Sequence, residues 1–358
     1  MVSALHHLTE QILAASAAAS PLCIRGGGSK DFYGQPTPGA LLDTRPLNGV
    51  LSYEPSELFI RVHAGTPLAE VEALLAEKKQ CLPFEPPHFN RGQASVATVG
   101  GMVAAGLSGP ARASVGGVRD YVLGLSLLNG RGEHLTFGGQ VMKNVAGYDV
   151  SRLLVGSLGI LGVVTEVSLK VLPVPAAEST LRFDVDEAQA LTLLNRWAAQ
   201  PLPINASCWL DGILWLRLRG AEAAVAAAQK SLGGRPVDGA DGFWNALREQ
   251  TLPFFALKEG EALWRLGVPD TAPPQGLGPT LLEWGGAQRW LKLPVNSAQK
   301  VQQASVAHGG HATLFVAKDK PAGSFTPLPP VLERIHRELK KQFDPAGIFN
   351  RGRLYTGL

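Results

Sequence analysis

Three glycine-rich stretches hold the residues best suited to chemistry. The first is Arg25-Gly26-Gly27-Gly28-Ser29-Lys30. Successive glycines reach backbone angles closed to other residues, and their N–H groups can form a concave nest for an anion. Ser29 adds a hydroxyl donor, and Arg25 or Lys30 a positive charge. The loop therefore reads as a cradle for a pyrophosphate group, with a flexible hairpin as the bland alternative. It is not a Rossmann fingerprint, because no G-x-G-x-x-G occurs and no amphipathic helix begins there. The Gly-Lys-Ser/Thr ending of a P-loop is absent too.

The second stretch, residues 97–110, is small and nearly uncharged apart from the bulk of Met102. Few side chains project from it, so it can lie flush against a flat ligand or open a tightly packed helix. The third, residues 140–173, runs through Gly147-Tyr148-Asp149 into glycines at 156, 159 and 162. Residues 163–172 then alternate in the β manner. Taken alone, this stretch fits a cofactor wall and a packed helix-to-strand turn equally well.

Acid–base and metal candidates are sparser. His308 and His311 flank Gly309-Gly310, a spacing that does not put two rings on one helix face. No metal site is expected from it. His311 remains a lone candidate base, and Arg289, Lys292 and Arg353 are candidate carboxylate ligands, with packed or surface roles as the default. The three cysteines, Cys23, Cys81 and Cys208, stand too far apart for an iron–sulfur cluster or a disulfide framework. A reducing, cytoplasmic setting fits them.

The elements that must position these groups follow from pattern. At 358 residues two domains are the prior. A net charge of +3 is too small to argue for nucleic acid. No apolar run approaches the roughly 20 residues that span a bilayer. Residues 5–19 read as an amphipathic helix and not a signal peptide, since no Lys or Arg precedes the apolar run and Glu10-Gln11 interrupt it. Strands are expected at 21–24, 58–64, 121–128 and 133–137, the last two joined by an Asn129-Gly130 turn. A helix is expected after Thr66-Pro67. Beyond a linker at 174–177, helices at 186–199, 221–232 and 242–250 alternate with strands at 207–210, 213–219, 264–268, 289–293 and 312–316. This is an α+β pattern, closed by a helix at 332–343.

In order and spacing, RGGGS, ATVGGMVAAGLSGP, VRDYVLG and KNVAGYDVSRLLVGSLGILGVVTEVSLKVLP resemble the FAD-binding domain of the vanillyl-alcohol-oxidase type. FDPAGIFNRGR resembles the end of FAD-linked oxidases of that superfamily. Residues 82–88, 284–292 and 309–315 narrow the resemblance to the family of FAD-binding E subunits of bacterial glycolate oxidases. Two features depart from it. Leu158 stands where many relatives have glutamate, and Arg351 stands where they have proline.

The resemblance implies an α+β fold: a two-subdomain FAD-binding domain over residues 1–173, then an α+β cap over 174–358 whose tail returns to the flavin. It assigns Arg25, Gly26, Gly27, Gly28 and Ser29 to the pyrophosphate loop. Thr98, Gly100, Gly101, Gly106 and Ser108 would line the cofactor. Gly159, Gly162 and Val164 would lie on the adenine or ribose side, with Asn350 and Arg353 returning from the C-terminus. FAD would be non-covalent, since the RGGGS loop lacks the histidine some relatives use for attachment. The implied partners are a homologous catalytic flavin subunit and an iron–sulfur subunit, and the implied substrate is a short 2-hydroxy acid such as glycolate. Membrane contact would come only through partners, at the inner membrane. Oxidising such an acid needs a base or metal for the hydroxyl proton and a cation for the carboxylate. The His-rich signature of catalytic relatives is not found in this chain. Three readings stay open: a subunit supporting oxidation within a complex, a free-standing D-2-hydroxy acid dehydrogenase, and a non-catalytic flavin-binding assembly subunit.

Overall fold

The computed structural model describes residues 2–89, 96–139 and 149–358. The Lys143-Asn144 and Gly147-Tyr148 portion of the third glycine-rich stretch lies outside them. Two compact units share the chain. The first comprises Met1–Leu107, Gly117–Pro173 and Pro327–Leu358; the second comprises Ser108–Gly116 and Val174–Thr326. The division departs from 1–173 and 174–358 in two places. Ser108–Gly116 belongs to the second unit, and Pro327–Leu358 belongs to the first, because Leu339 and Phe343 pack on the first unit's core.

In the first unit, α1 (Val2–Ala17) presents Leu8, Ile12 and Ala15 on one face. They bury against Leu22, Leu42, Ile348 and Phe349. Here β1 (Leu22–Arg25) runs parallel to β2 (Ala40–Asp43). The larger sheet joins β3 (Val50–Glu54), β4 (Phe59–His63), β5 (Val122–Leu128), β6 (His134–Gly138) and β7 (Val163–Lys170). It is antiparallel, in the order β3-β4-β7-β5-β6. The central strand β7 is buried on both faces, with Val163, Val164, Thr165, Val167 and Leu169 all inside. The β5–β6 turn forms because Asn129 Oδ1 accepts from the amides of Arg131 (2.9 Å) and Glu133 (3.0 Å). Leu68, Val71 and Leu75 of α2 (Leu68–Glu77) cover the sheet core, as does α3 (Val99–Ala105).

The second unit carries an eight-stranded sheet. Its strands are Arg235–Val237, Ala177–Asp184, Ile213–Gly220, Ile204–Leu210, Thr280–Glu283, Gln288–Pro294, Glu261–Gly267 and His311–Val316, in spatial order. Leu214, Leu216 and Leu218 pack under helices Glu187–Ala198 and Glu222–Leu232. Trp264, Leu266 and Leu314 pack with Val301 of helix Ala298–Ala307. The expected linker at 174–177 runs straight into a strand at Ala177. Thr280–Glu283 and helix Ala298–Ala307 were not expected. The first is short and follows a Pro/Gly-rich loop; the second is rich in Ala, Gln and Ser, with little apolar periodicity.

Candidate cofactor cleft

Strand β1 delivers Arg25 to the glycine loop, and the loop's geometry requires each glycine. A β-carbon on Gly27 would fall 1.5 Å from the Val96 carbonyl oxygen, and one on Gly26 would fall 2.4 Å from Thr98 Oγ1. Gly28 has φ +77°, and its β-carbon would meet Arg25 Nη2 at 2.2 Å. The loop is thus pressed against the start of α3 on one side and the Arg25 side chain on the other. Among the described residues, the amides of Gly26, Gly27, Gly28 and Ser29 donate to no carbonyl or side chain. Thr98 caps α3, its Oγ1 accepting from Gly101 N at 3.3 Å, a contact worth about 1 kcal/mol.

An open cleft lies over this loop, entirely within the first unit. Its floor is the loop from Ile24 to Asp31, one wall is Thr98, Gly101, Ala104 and Ala105, and the other is Leu158, Asn350 and Arg353. Three cations, Arg25, Lys30 and Arg353, face one carboxylate, Asp31, among the lining residues. Arg25 Nε donates to Asp31 at 2.7 Å. Lys30 is buried, 5.6 Å from the Phe89 ring centroid. Arg353 donates to the Lys30 carbonyl at 3.2 Å. Burial lowers the pKa of Arg353, and Asp31 partly offsets that. A surplus of positive charge beside free N–H groups suits a diphosphate.

The other expected contacts divide. Thr98 and Gly101 line the cleft, but Gly100 packs on Ala64, the residue after β4, where its β-carbon would be 2.7 Å from Ala64 Cβ. Gly106 ends α3 at φ +63° against Gly156. Ser108 belongs to the second unit. Gly159 makes room for Asn350, and Gly162 for Leu127 and Leu128, while Val164 is core. None of these last three lines the cleft. Leu158 forms an apolar wall at φ +50°. Arg351 braces the tail, donating to the carbonyls of Gly347 and, at 2.9 Å, Ala19. Asp31, Ala104 and Ala105 had no individual role in the sequence reading; Asp31 adjoins the glycine loop and the two alanines lie within the second glycine-rich stretch, which were the available signals.

The acid–base candidates are not brought together. Buried Arg289 donates to the carbonyls of Gly286 (3.0 Å), Pro273 (2.6 Å) and Ala272. It is a strut for the 272–286 segment. Lys292 sits 5.2 Å from the Phe254 ring centroid. His308 Nδ1 bonds the Ala304 carbonyl at 2.9 Å. The His311 ring lies over Gly267 of the next strand, and desolvation, with Arg265 adding, lowers its pKa. No group of three or more metal-ligating side chains occurs among the described residues. No helix among them is long and apolar enough to cross a membrane.

Comparison with known proteins decides the family. A family profile described as an FAD binding domain matches residues 6–138. The glycolate oxidase subunit GlcE of Escherichia coli (strain K12) is 49% identical over 352 residues, covering 98% of this chain and 97% of the relative. The chain belongs to the GlcE family. Its FAD-binding domain is of the vanillyl-alcohol-oxidase type, and the chain is an FAD-dependent oxidoreductase subunit. The glycolate oxidase subunit GlcD of Bacillus subtilis (strain 168) is 32% identical over 187 residues, covering 51% of this chain and 39% of that one. A solved alkyldihydroxyacetonephosphate synthase shares the fold, with a TM-score of 0.67 at 15% identity over 96% of this chain and 74% of the other.

The cleft fits the cofactor of the family. The diphosphate of FAD needs a side-chain-free concavity with several donors and a net positive surround, and residues 25–31 with Arg353 provide both.

Proposed function

We propose that this chain is the FAD-holding subunit of a complex that oxidises glycolate, or a similarly short 2-hydroxy acid, to the 2-oxo acid. FAD supplies a two-electron acceptor when bound. The chain's own residues bind and orient it: the Gly26–Ser29 amides and the Arg25, Lys30 and Arg353 cations hold the diphosphate, and the small residues of α3 let it lie close. The observation that carries the reading is the glycine loop, where a β-carbon would clash at each glycine and, among the described residues, the amides of Gly26–Ser29 have no protein acceptor. Retention is non-covalent, because the loop offers no nucleophilic ring nitrogen or thiol.

Substrate oxidation itself falls to a homologous flavin subunit of the GlcD kind, with an iron–sulfur subunit carrying electrons onward. Two observations favour this division over a free-standing dehydrogenase. Arg289, the buried cation, has its guanidinium committed to backbone carbonyls. The three cysteines are dispersed, two partly and one fully buried, so they do not form a cluster site. Contact with a membrane would come through those partners. The test is anaerobic addition of glycolate to the purified yellow chain, alone and with a GlcD-type partner. Bleaching only with the partner is expected; bleaching of the isolated chain would transfer the chemistry to it.

A further inference from the structure

The C-terminal tail runs beside β1 as its second partner, on the side away from β2. Leu22 N donates to the Ile348 carbonyl at 2.8 Å, and Asn350 N donates to the Leu22 carbonyl at 3.0 Å. Asn350 is buried, and both ends of its side-chain amide are engaged. Its Oδ1 accepts from Ile24 N at 2.8 Å. Its Nδ2 donates to the Leu158 carbonyl at 2.6 Å. Ile24 immediately precedes the glycine loop, and Leu158 stands on the opposite wall of the cleft. One side chain therefore ties the floor of the cleft to its far wall.

The surroundings are built to hold that side chain. Asn350 has φ +38° and Leu158 φ +50°, left-handed conformations that non-glycine residues adopt only when neighbours enforce them. A β-carbon on Gly159 would lie 2.7 Å from Asn350 Nδ2, so that glycine serves Asn350. Behind the tail, Lys340 Nζ donates to Asp344 Oδ2 (2.7 Å) and to the carbonyls of Ile160 (2.7 Å) and Phe349 (2.8 Å). Asp344 in turn accepts from the amides of Ile348 (3.0 Å) and Phe349 (2.8 Å). The pair fixes both the residue before Asn350 and the segment after Leu158.

We infer that Asn350 is a positioning residue that sets the opening of the cleft through Ile24 and Leu158. The inference rests on the reading that this cleft holds FAD. Losing both side-chain bonds lets the Leu158 turn and the start of the glycine loop move independently, so the amides no longer converge on one diphosphate.

Asn350→Gly removes the clamp without adding backbone strain. FAD affinity is measured on cofactor-free protein by flavin fluorescence titration, and amide hydrogen exchange is followed at Ile24 and around Leu158. The variant is expected to bind FAD about tenfold or more weakly, with faster exchange at both places before FAD is added. Tyr53→Phe is the control; it removes a 2.8 Å bond to Gln80 elsewhere in the same unit. It should change melting temperature without changing FAD affinity. Wild-type affinity in Asn350→Gly, or unchanged exchange at Ile24 and Leu158, overturns the inference alone. Failure of the wild-type chain to take up FAD overturns the reading of the cleft and the inference with it.

Discussion

The Arg25 guanidinium donates to Asp31 at 2.7 Å while folded against Gly28, whose missing side chain leaves room for it. Both side chains are about half exposed, at 45% and 50%, and exposed pairs of this kind are worth about 0–1 kcal/mol. Asp31 thus holds Arg25 at the mouth of an anion cradle with a bond weak enough to exchange. Asp31→Asn is expected to tighten FAD binding about two- to fivefold at low salt, with the gain shrinking at high salt. In an Arg25→Gln background the gain should vanish. Fluorescence titration of the four proteins checks this; equal gains in both backgrounds would refute the exchange.

Gly242 stands in the helix Asp241–Arg248, and a β-carbon there would meet nothing within 4 Å. Unlike Gly26–Gly28, it has no structural reason to be glycine. Gly242→Ala is expected to stabilise the second unit by about 0.5–1 kcal/mol, read as a rise in melting temperature with FAD affinity unchanged.

Lys340 and Asp344 are buried together, with side-chain exposures of 9% and 0%. Lys340→Met leaves a buried carboxylate and two carbonyls without their ammonium, and should cost about 3–5 kcal/mol in chemical denaturation. Burial holds the Lys340 pKa below 10.5, with Asp344 partly offsetting the drop. Between the folded pKa and 10.5 the unfolded chain binds more protons, so this group's contribution to stability rises with pH across that window. Lys340→Met should lack that alkaline rise.

The glycine loop was legible because its constraint is local: three glycines, a hydroxyl and flanking cations are adjacent in the chain. The hairpin at Asn129 and helix α2 were legible for the same reason. The cleft's far wall was legible only through the resemblance, which named Asn350 and Arg353, and not from local pattern, because Leu158 and Asn350 are brought to Ile24 by contacts spanning most of the chain. Gly159 looked like a cofactor glycine; its true neighbour is an asparagine nearly two hundred residues away. Arg289 looked like a substrate ligand because its charge is visible in sequence and its three carbonyl partners are not.

The account turns on the cleft over Gly26–Ser29 holding FAD without a covalent bond. The direct measurement is the flavin absorption of the purified chain after incubation with FAD, before and after acid precipitation, for wild type and for Gly27→Val. The account predicts stoichiometric flavin on the wild-type protein, released entirely to the supernatant by acid, and none retained by Gly27→Val. Flavin left in the protein pellet would contradict non-covalent retention. A wild-type chain that takes up no flavin, or a Gly27→Val chain that retains it fully, would contradict the assignment of the cleft.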